Sequence, residues 1–152
     1  MPSYFKLTVG LASVATALAI LLRALETFDH GIWLIAYLSL VGTLAQFLLA
    51  WGQSRLAPGT SVRHVRLQAL LWMIGVVFVP AGVLIEARLL VVAGSVPLIA
   101  ALFLFWQQTR TGTGRSRRED DAGLGAAYDV LLVFMTLSVF VGIALASDVP
   151  WL

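Results

Sequence analysis

The stretch that decides the fold is Arg66–Arg110, which reads RLQALLWMIGVVFVPAGVLIEARLLVVAGSVPLIAALFLFWQQTR. Between Leu67 and Trp106 its only formal charges are Glu86 and Arg88, which stand two positions apart. About 20 consecutive apolar residues cross a bilayer core as an α-helix. The stretch is therefore predicted to form two membrane-spanning helices that are joined by a tight turn at Glu86 and Arg88.

The composition of the whole chain agrees with this prediction. Its 152 residues are 60% hydrophobic and only 12% charged, whereas about a quarter of the residues in a soluble domain are charged. We therefore predict an all-α integral membrane protein, located in an inner or plasma membrane with the lipid bilayer as its main surroundings. The absence of cysteine excludes disulfides, iron–sulfur ligation and thiol nucleophiles.

Apolar runs separated by polar segments predict a single bundle of five transmembrane helices. Small residues in the first run, such as Ala12 and Ala15, favour its close packing against a neighbouring helix. Pro80 and Pro97 lie inside the third and fourth runs, where backbone irregularity and close helix contact are expected. The predicted spans are residues 7–22, 31–51, 67–84, 89–107 and 126–146, with a polar cytoplasmic loop at 108–125.

The distribution of basic residues predicts the orientation of the bundle. Cytoplasmic loops carry an excess of Lys and Arg. Through five spans, eight of these residues fall on one side, and only Arg23 and Arg88 fall on the other. The N-terminus is therefore predicted to be cytoplasmic and the C-terminus outside. The eight residues are Lys6, Arg55, Arg63, Arg66, Arg110, Arg115, Arg117 and Arg118.

Two of the predicted spans end in similar sequences. Trp51–Arg55 reads WGQSR and Trp106–Arg110 reads WQQTR, at a spacing of 55 residues. One interpretation is a duplicated two-helix hairpin followed by a fifth helix. The other is that any cytoplasmic helix end favours Trp and Arg, because both residue types suit the membrane interface.

Polar residues at the outer boundary form the first candidate site. Glu26, Asp29 and His30 lie in the first loop, on the same side as Glu86 and Arg88. Carboxylates together with an imidazole can bind a divalent cation or relay protons. The simpler interpretation is that these are loop residues in contact with water or headgroups, so the identity of any metal stays unknown.

A second candidate lies within the second span. Ser39, Thr43 and Gln46 follow a spacing of i, i+4 and i+7, which places them on one face of an α-helix. Such a face can line a polar path through the bundle, or it can hydrogen-bond a neighbouring helix. Asp129, near the predicted start of the last span, is expected to cap that helix.

The sequence contains no recognisable catalytic constellation, and no cofactor is predicted. His30 and His64 are expected on opposite sides of the membrane, roughly 30 Å apart, so they cannot ligate one haem. No nucleic-acid partner is expected, because an acidic run follows the arginines at residues 119–121.

The preferred hypothesis is a small non-catalytic scaffold or accessory subunit that contacts lipid, other membrane helices or further copies of itself. The alternatives are a small-solute or lipid transporter that uses the polar face, and an outer-face metal or enzyme site.

Overall fold

The computed structural model describes residues 3–25, 31–111 and 119–148, and every regular element in these ranges is helical. Three helices precede the hairpin, two form it and one follows it. A π-helical segment separates the second helix from the third. In chain order the elements are α1 (Ser3–Leu25), α2 (Gly31–Tyr37), the π segment (Leu38–Ala45), α3 (Gln46–Leu56), α4 (Val62–Leu84), α5 (Arg88–Thr111) and α6 (Glu119–Asp148).

Among the described residues, four stretches of helix are long and apolar enough to cross a membrane, and a shorter apolar helix covers Phe5–Leu21. This confirms the helical, strongly apolar character that the sequence predicts. The four longer stretches are Ile32–Leu56, Val62–Leu84, Arg88–Arg110 and Gly123–Phe140.

Several helices extend beyond the apolar runs that predict them. α4 begins at Val62, five residues before the predicted span, because the Ser61 side chain caps it and accepts a hydrogen bond from the His64 backbone N–H at 3.4 Å. Helix also occupies both ends of the predicted loop at 108–125, since α5 ends at Thr111 and α6 begins at Glu119. Carboxylates favour the start of a helix, which explains a helix that begins in an acidic run.

The α4–α5 hairpin is packed so closely that backbone meets backbone. A Cβ atom added to Gly94 would lie 2.8 Å from the Val79 backbone nitrogen, and one added to Gly75 would lie 2.8 Å from the Gly94 carbonyl oxygen. One added to Gly82 would lie 2.7 Å from the backbone nitrogen of Val91. Small residues allow this approach, which confirms the close contact expected around Pro80 and Pro97.

A Schellman turn with an unusual residue joins the two helices of the hairpin. The Ala87 N–H donates to the Gly82 carbonyl oxygen at 2.8 Å, and the Glu86 N–H donates to the Val83 carbonyl oxygen at 3.3 Å. Glu86 has a φ of 55°, the left-handed conformation that glycine usually supplies in this turn. The predicted turn is thus present, with a strained residue at its centre.

Contacts between helices bring the end of α3, the start of α4 and the end of α5 to one end of the bundle. Gln53 near the end of α3 donates to Gln68 near the start of α4 at 3.1 Å. Arg110 at the end of α5 forms an ion pair with Asp129 of α6 at 3.4 Å. Asp129 therefore does not cap its helix as expected, because α6 begins ten residues earlier and places this carboxylate beside the end of α5.

The start of α1 lies at the same end, because the rings of Phe5 and Phe105 stand 5.7 Å apart. We call this the basic end of the bundle, since most of the described cations lie on it. The turn at Glu86 and Arg88 lies at the opposite end of the hairpin. The described members of the basic end are Lys6, Arg55, Arg63, Arg66 and Arg110.

Candidate functional site

Polar contacts inside the bundle converge on Ile32–Leu56, the continuous helix made of α2, the π segment and α3, which we call the second helical stretch. Gln46, the first residue of α3, is fully buried. Its Nε2 donates to the Thr8 hydroxyl of α1 at 2.6 Å, and that hydroxyl in turn donates to the Phe5 carbonyl oxygen at 3.2 Å. In this arrangement the Thr8 hydroxyl accepts from the Gln46 amide and donates to the main chain.

A second glutamine of α3 makes an equivalent link to α4. Gln53 follows Gln46 by seven residues, which places the two side chains on one face of the helix. Its Nε2 donates to Oε1 of the fully buried Gln68 at 3.1 Å, and it also lies 3.5 Å from the Thr60 hydroxyl in the α3–α4 loop. Amides that are buried in an apolar interior need such partners.

Aromatic side chains pack around these polar links. Trp72 of α4 is almost fully buried and donates its indole N–H to the Val41 carbonyl oxygen of the π segment at 3.3 Å. Phe105 of α5 stands edge-on to the Trp72 ring, with centroids 6.3 Å apart, and it also meets Phe5 of α1. This aromatic core joins α1, α4 and α5.

Tyr128 attaches α6 to α3. Its hydroxyl donates to the Leu49 carbonyl oxygen at 3.2 Å, and its ring lies against Gly52, one turn further along. A glycine at that position leaves room for the aromatic ring. Hydrogen bonds thus link α1, α4 and α6 to the second helical stretch.

Two buried amide atoms are left without partners in the described part of the chain. These atoms are Oε1 of Gln46, an acceptor, and Nε2 of Gln68, a donor. An unpaired buried polar atom costs about 1–3 kcal/mol. They are the features of the interior that point most directly to a polar ligand or to solvent within the bundle.

The structure brings together only part of the predicted polar face. Gln46 turns to α1, whereas the Thr43 hydroxyl donates to the Leu38 carbonyl oxygen of its own helix at 3.2 Å. Ser39 is half-buried and takes no part in the Gln46 link. Ser39 and Thr43 lie in the π segment, where i→i+5 bonding changes the angular spacing that an α-helix would give.

Three members of the predicted outer cluster, Glu26, Asp29 and His30, lie outside the described residues. The other two, Glu86 and Arg88, are exposed at the turn of the hairpin. Within the described ranges no group of three His, Asp or Glu side chains is placed to hold a metal ion. The predicted outer-face site therefore stays a prediction.

The similar helix ends adopt similar local structures. The guanidinium carbon of Arg55 lies 5.7 Å from the centre of the Trp51 ring, and that of Arg110 lies 5.6 Å from the Trp106 ring. The hydroxyl one position before each arginine donates to the carbonyl oxygen of the same tryptophan, at 2.6 Å from Ser54 and 2.9 Å from Thr109. The Trp51–Arg55 and Trp106–Arg110 contacts are both cation–π pairs at an i, i+4 spacing.

Sequence reasoning missed the Gln53–Gln68 pair. Each of these residues stands close to a predicted helix boundary, where a glutamine is ordinarily taken as solvated. The available signal was that both border long apolar runs that a short loop connects, so that two amides can meet at the same depth.

Comparison with protein-family models, curated proteins and solved structures gives no match to this chain.

Proposed function

We propose that this chain is a multi-pass membrane protein of five spans that serves as a small non-catalytic scaffold or accessory subunit. Its N-terminus is cytoplasmic and its C-terminus outside, in an inner or plasma membrane. The observation that carries the proposal is the contrast between a polar, hydrogen-bonded interior and an apolar outer surface. Buried polar groups such as Gln46, Gln53 and Tyr128 link helices of the same bundle, while outward surfaces are apolar.

The outer surfaces of α1 and α6 support the proposal. Both helices expose large apolar side chains at alternating spacings of three and four residues, the pattern of a helix that packs along one face. In water such faces would promote association, whereas in a bilayer they suit lipid or a partner helix. The exposed residues are Leu7, Leu11, Val14, Leu18 and Leu21 in α1, and Val130, Val133, Leu137 and Phe140 in α6.

The proposed orientation is supported by the grouping of cations at the basic end. The native chain has no cysteine, so single cysteines introduced at Gly59 and at Glu86 can report sidedness. An impermeant maleimide should label Glu86→Cys in intact cells, and Gly59→Cys only after permeabilisation. The opposite pattern would reject the orientation, and release of the protein by alkaline carbonate would reject its integral membrane character.

The scaffold role predicts stable contact with other membrane helices. A photo-crosslinking amino acid at Val14 or Val133, both exposed, should give a discrete crosslinked partner or dimer in native membranes. The same group at the fully buried Leu49 is the matched control and should crosslink only within the chain. A purified monomer that crosslinks to lipid alone and shows turnover of its own would exclude the scaffold role.

A transporter remains the second candidate, because Gln46 Oε1 and Gln68 Nε2 are buried without partners among the described residues. In liposomes that contain the protein, flux of a small neutral solute such as glycerol would favour transport if Gln46→Leu abolished it. Thr43→Val is the matched control, since the Thr43 hydroxyl bonds only to its own helix. Wild-type flux equal to that of protein-free liposomes would remove glycerol transport from consideration.

The outer-face metal site has its own test. Elemental analysis of the purified wild type, compared with His30→Ala, should show bound metal only in the wild type if Glu26, Asp29, His30 and Glu86 form a metal site.

A further inference from the structure

The two Trp–Arg pairs at the basic end differ in one respect, which is charge compensation. Arg110 has the carboxylate of Asp129 at 3.4 Å. Arg55 makes the same cation–π contact with its tryptophan, but it has no acidic partner within the described part of the chain. An external anion can therefore take the place at Arg55 that Asp129 holds at Arg110.

A second cation is brought to the same end. The α3–α4 loop is tied down by the Gln53–Thr60 contact and by the Thr60 hydroxyl, which donates to the Ala57 carbonyl oxygen at 2.8 Å. α4 begins directly after this loop, at Val62, so the exposed Arg63 lies at the same end of the bundle as Arg55. Arg63 likewise has no acidic partner in the described ranges, so Arg55 and Arg63 are two cations at this end without a carboxylate partner among the described residues.

An apolar strip leads along the second helical stretch to Arg55. Leu40, Leu44, Phe47 and Trp51 are all exposed, at 56%, 49%, 44% and 39% respectively. From Leu44 to Arg55 the helical rise is about 16 Å, which is about half of a hydrocarbon core of roughly 30 Å. A phospholipid of one leaflet matches this length and order, because its acyl chain can lie along Leu44 and Phe47 while its phosphate reaches Arg55, beside the Trp51 ring.

We propose that the strip from Leu44 to Arg55 binds an anionic phospholipid, with the acyl chain along Leu44, Phe47 and Trp51 and the phosphate at Arg55. Arg63 adds attraction for the net negative headgroup. A zwitterionic lipid shares the phosphate and the acyl chain but lacks the net negative charge that the two arginines attract. This inference depends on the membrane placement in the proposed function.

Native mass spectrometry of the detergent-purified protein tests the site. Dioleoyl phosphatidylglycerol and dioleoyl phosphatidylcholine, offered at equal concentration, differ in headgroup charge and share acyl chains. We expect the wild type to retain phosphatidylglycerol preferentially. In Arg55→Gln the ratio of retained phosphatidylglycerol to phosphatidylcholine should fall about fivefold, because one arginine near an anionic surface contributes about 1 kcal/mol. Arg88→Gln is the matched control, since Arg88 is exposed at the opposite end of the hairpin.

Three results in this experiment would contradict the proposed lipid site. Equal retention of the two lipids by the wild type, or equal preference in wild type and Arg55→Gln, would overturn the site. Loss of preference in both arginine variants would assign the effect to overall charge and would also overturn it. Displacement of the lipid by millimolar inorganic phosphate would identify an anion site without an acyl-chain component. Carbonate-resistant protein that shows no lipid preference refutes this inference alone, whereas carbonate release refutes the membrane proposal.

Discussion

The ring of Tyr128 in α6 lies so close to Gly52 in α3 that a Cβ atom added at Gly52 would stand 2.6 Å from Cε2 of the ring. The same tyrosine donates its hydroxyl hydrogen to the Leu49 carbonyl oxygen. α6 is thereby attached to α3 through a glycine and a main-chain acceptor.

Gly52→Ala is therefore expected to lower the free energy of unfolding by about 1–3 kcal/mol, the usual cost of overpacking. Gly10→Ala is the matched control, because Gly10 is also helical but has open space around it. That variant should raise stability by about 0.5–1 kcal/mol through helix propensity. Thermal unfolding in detergent, followed by circular dichroism, measures both. Shifts of the same sign in the two variants would show that Tyr128 does not restrict position 52.

Tyr128→Phe separates the hydrogen bond from the ring packing. The ring remains on Gly52, while the Leu49 carbonyl oxygen loses its side-chain donor. We expect a loss of about 0.5–1.5 kcal/mol in the same unfolding assay, because a single buried hydrogen bond contributes on this scale. No loss of stability at all would show that the hydroxyl contributes nothing to the attachment of α6.

The Gln53–Gln68 pair should behave as a coupled unit. Replacement of either glutamine by leucine leaves the other amide buried with fewer partners, whereas replacement of both removes the polar groups together. A double-mutant cycle should give a coupling of about 0.6 kcal/mol, the mean for hydrogen bonds between membrane helices, and of at most about 1.7 kcal/mol. A cycle between Gln53 and Gln46, which do not contact one another, is the control and should be additive within about 0.5 kcal/mol. Equal coupling in the two cycles would contradict the pairing.

Glu86→Gly should stabilise the hairpin. Glu86 has a φ of 55°, and a left-handed residue other than glycine costs roughly 1–2 kcal/mol. An increase of about 1 kcal/mol in the free energy of unfolding is expected for glycine. Glu86→Ala keeps the Cβ atom and serves as control, so its stability should not rise. If alanine stabilises as much as glycine, the carboxylate and not the backbone conformation is the source of the effect.

The Arg110–Asp129 ion pair should contribute little to stability. Both side chains are partly exposed, and exposed ion pairs are worth about 0–1 kcal/mol and are screened by salt. Asp129→Asn should therefore change the unfolding temperature slightly at low salt and not at all in 0.5 M sodium chloride. A large effect that is independent of salt would indicate a role for Asp129 beyond this pair.

The helices were predictable because their signal is long and redundant. The stretch between Arg66 and Arg110 has more than forty residues and only two formal charges, Glu86 and Arg88, near its middle. A hairpin of two membrane-spanning helices is almost the only arrangement that fits this pattern. Helix ends were less predictable, since hydropathy reports where apolar side chains begin and not where backbone hydrogen bonding begins. α6 shows this most clearly, because its polar start made Asp129 look like a cap.

The interior polar links were only partly predictable. Gln46 stands alone within an apolar run, so its need for a partner follows from its position. The identity of that partner, Thr8, does not follow, because it depends on how α1 is rotated against α3. Gln53 and Gln68 lie near helix boundaries, where only the packed structure distinguishes a buried amide from a solvated one.

The π segment changes how the chain can tolerate alteration of its length. Its i→i+5 bonds spread each turn over more residues than an α-helix uses, so that Leu38–Ala45 contains a surplus of about one residue. Removal of one residue there can be absorbed by conversion to α-helix while α2 and α3 keep their rotational phase. In α2, the same deletion would turn the side chains on its two sides by about 100° relative to one another, so that those of α2 and those of α3 could not both keep their contacts. This segment is thus the position in the second helical stretch where a single-residue deletion should be tolerated best.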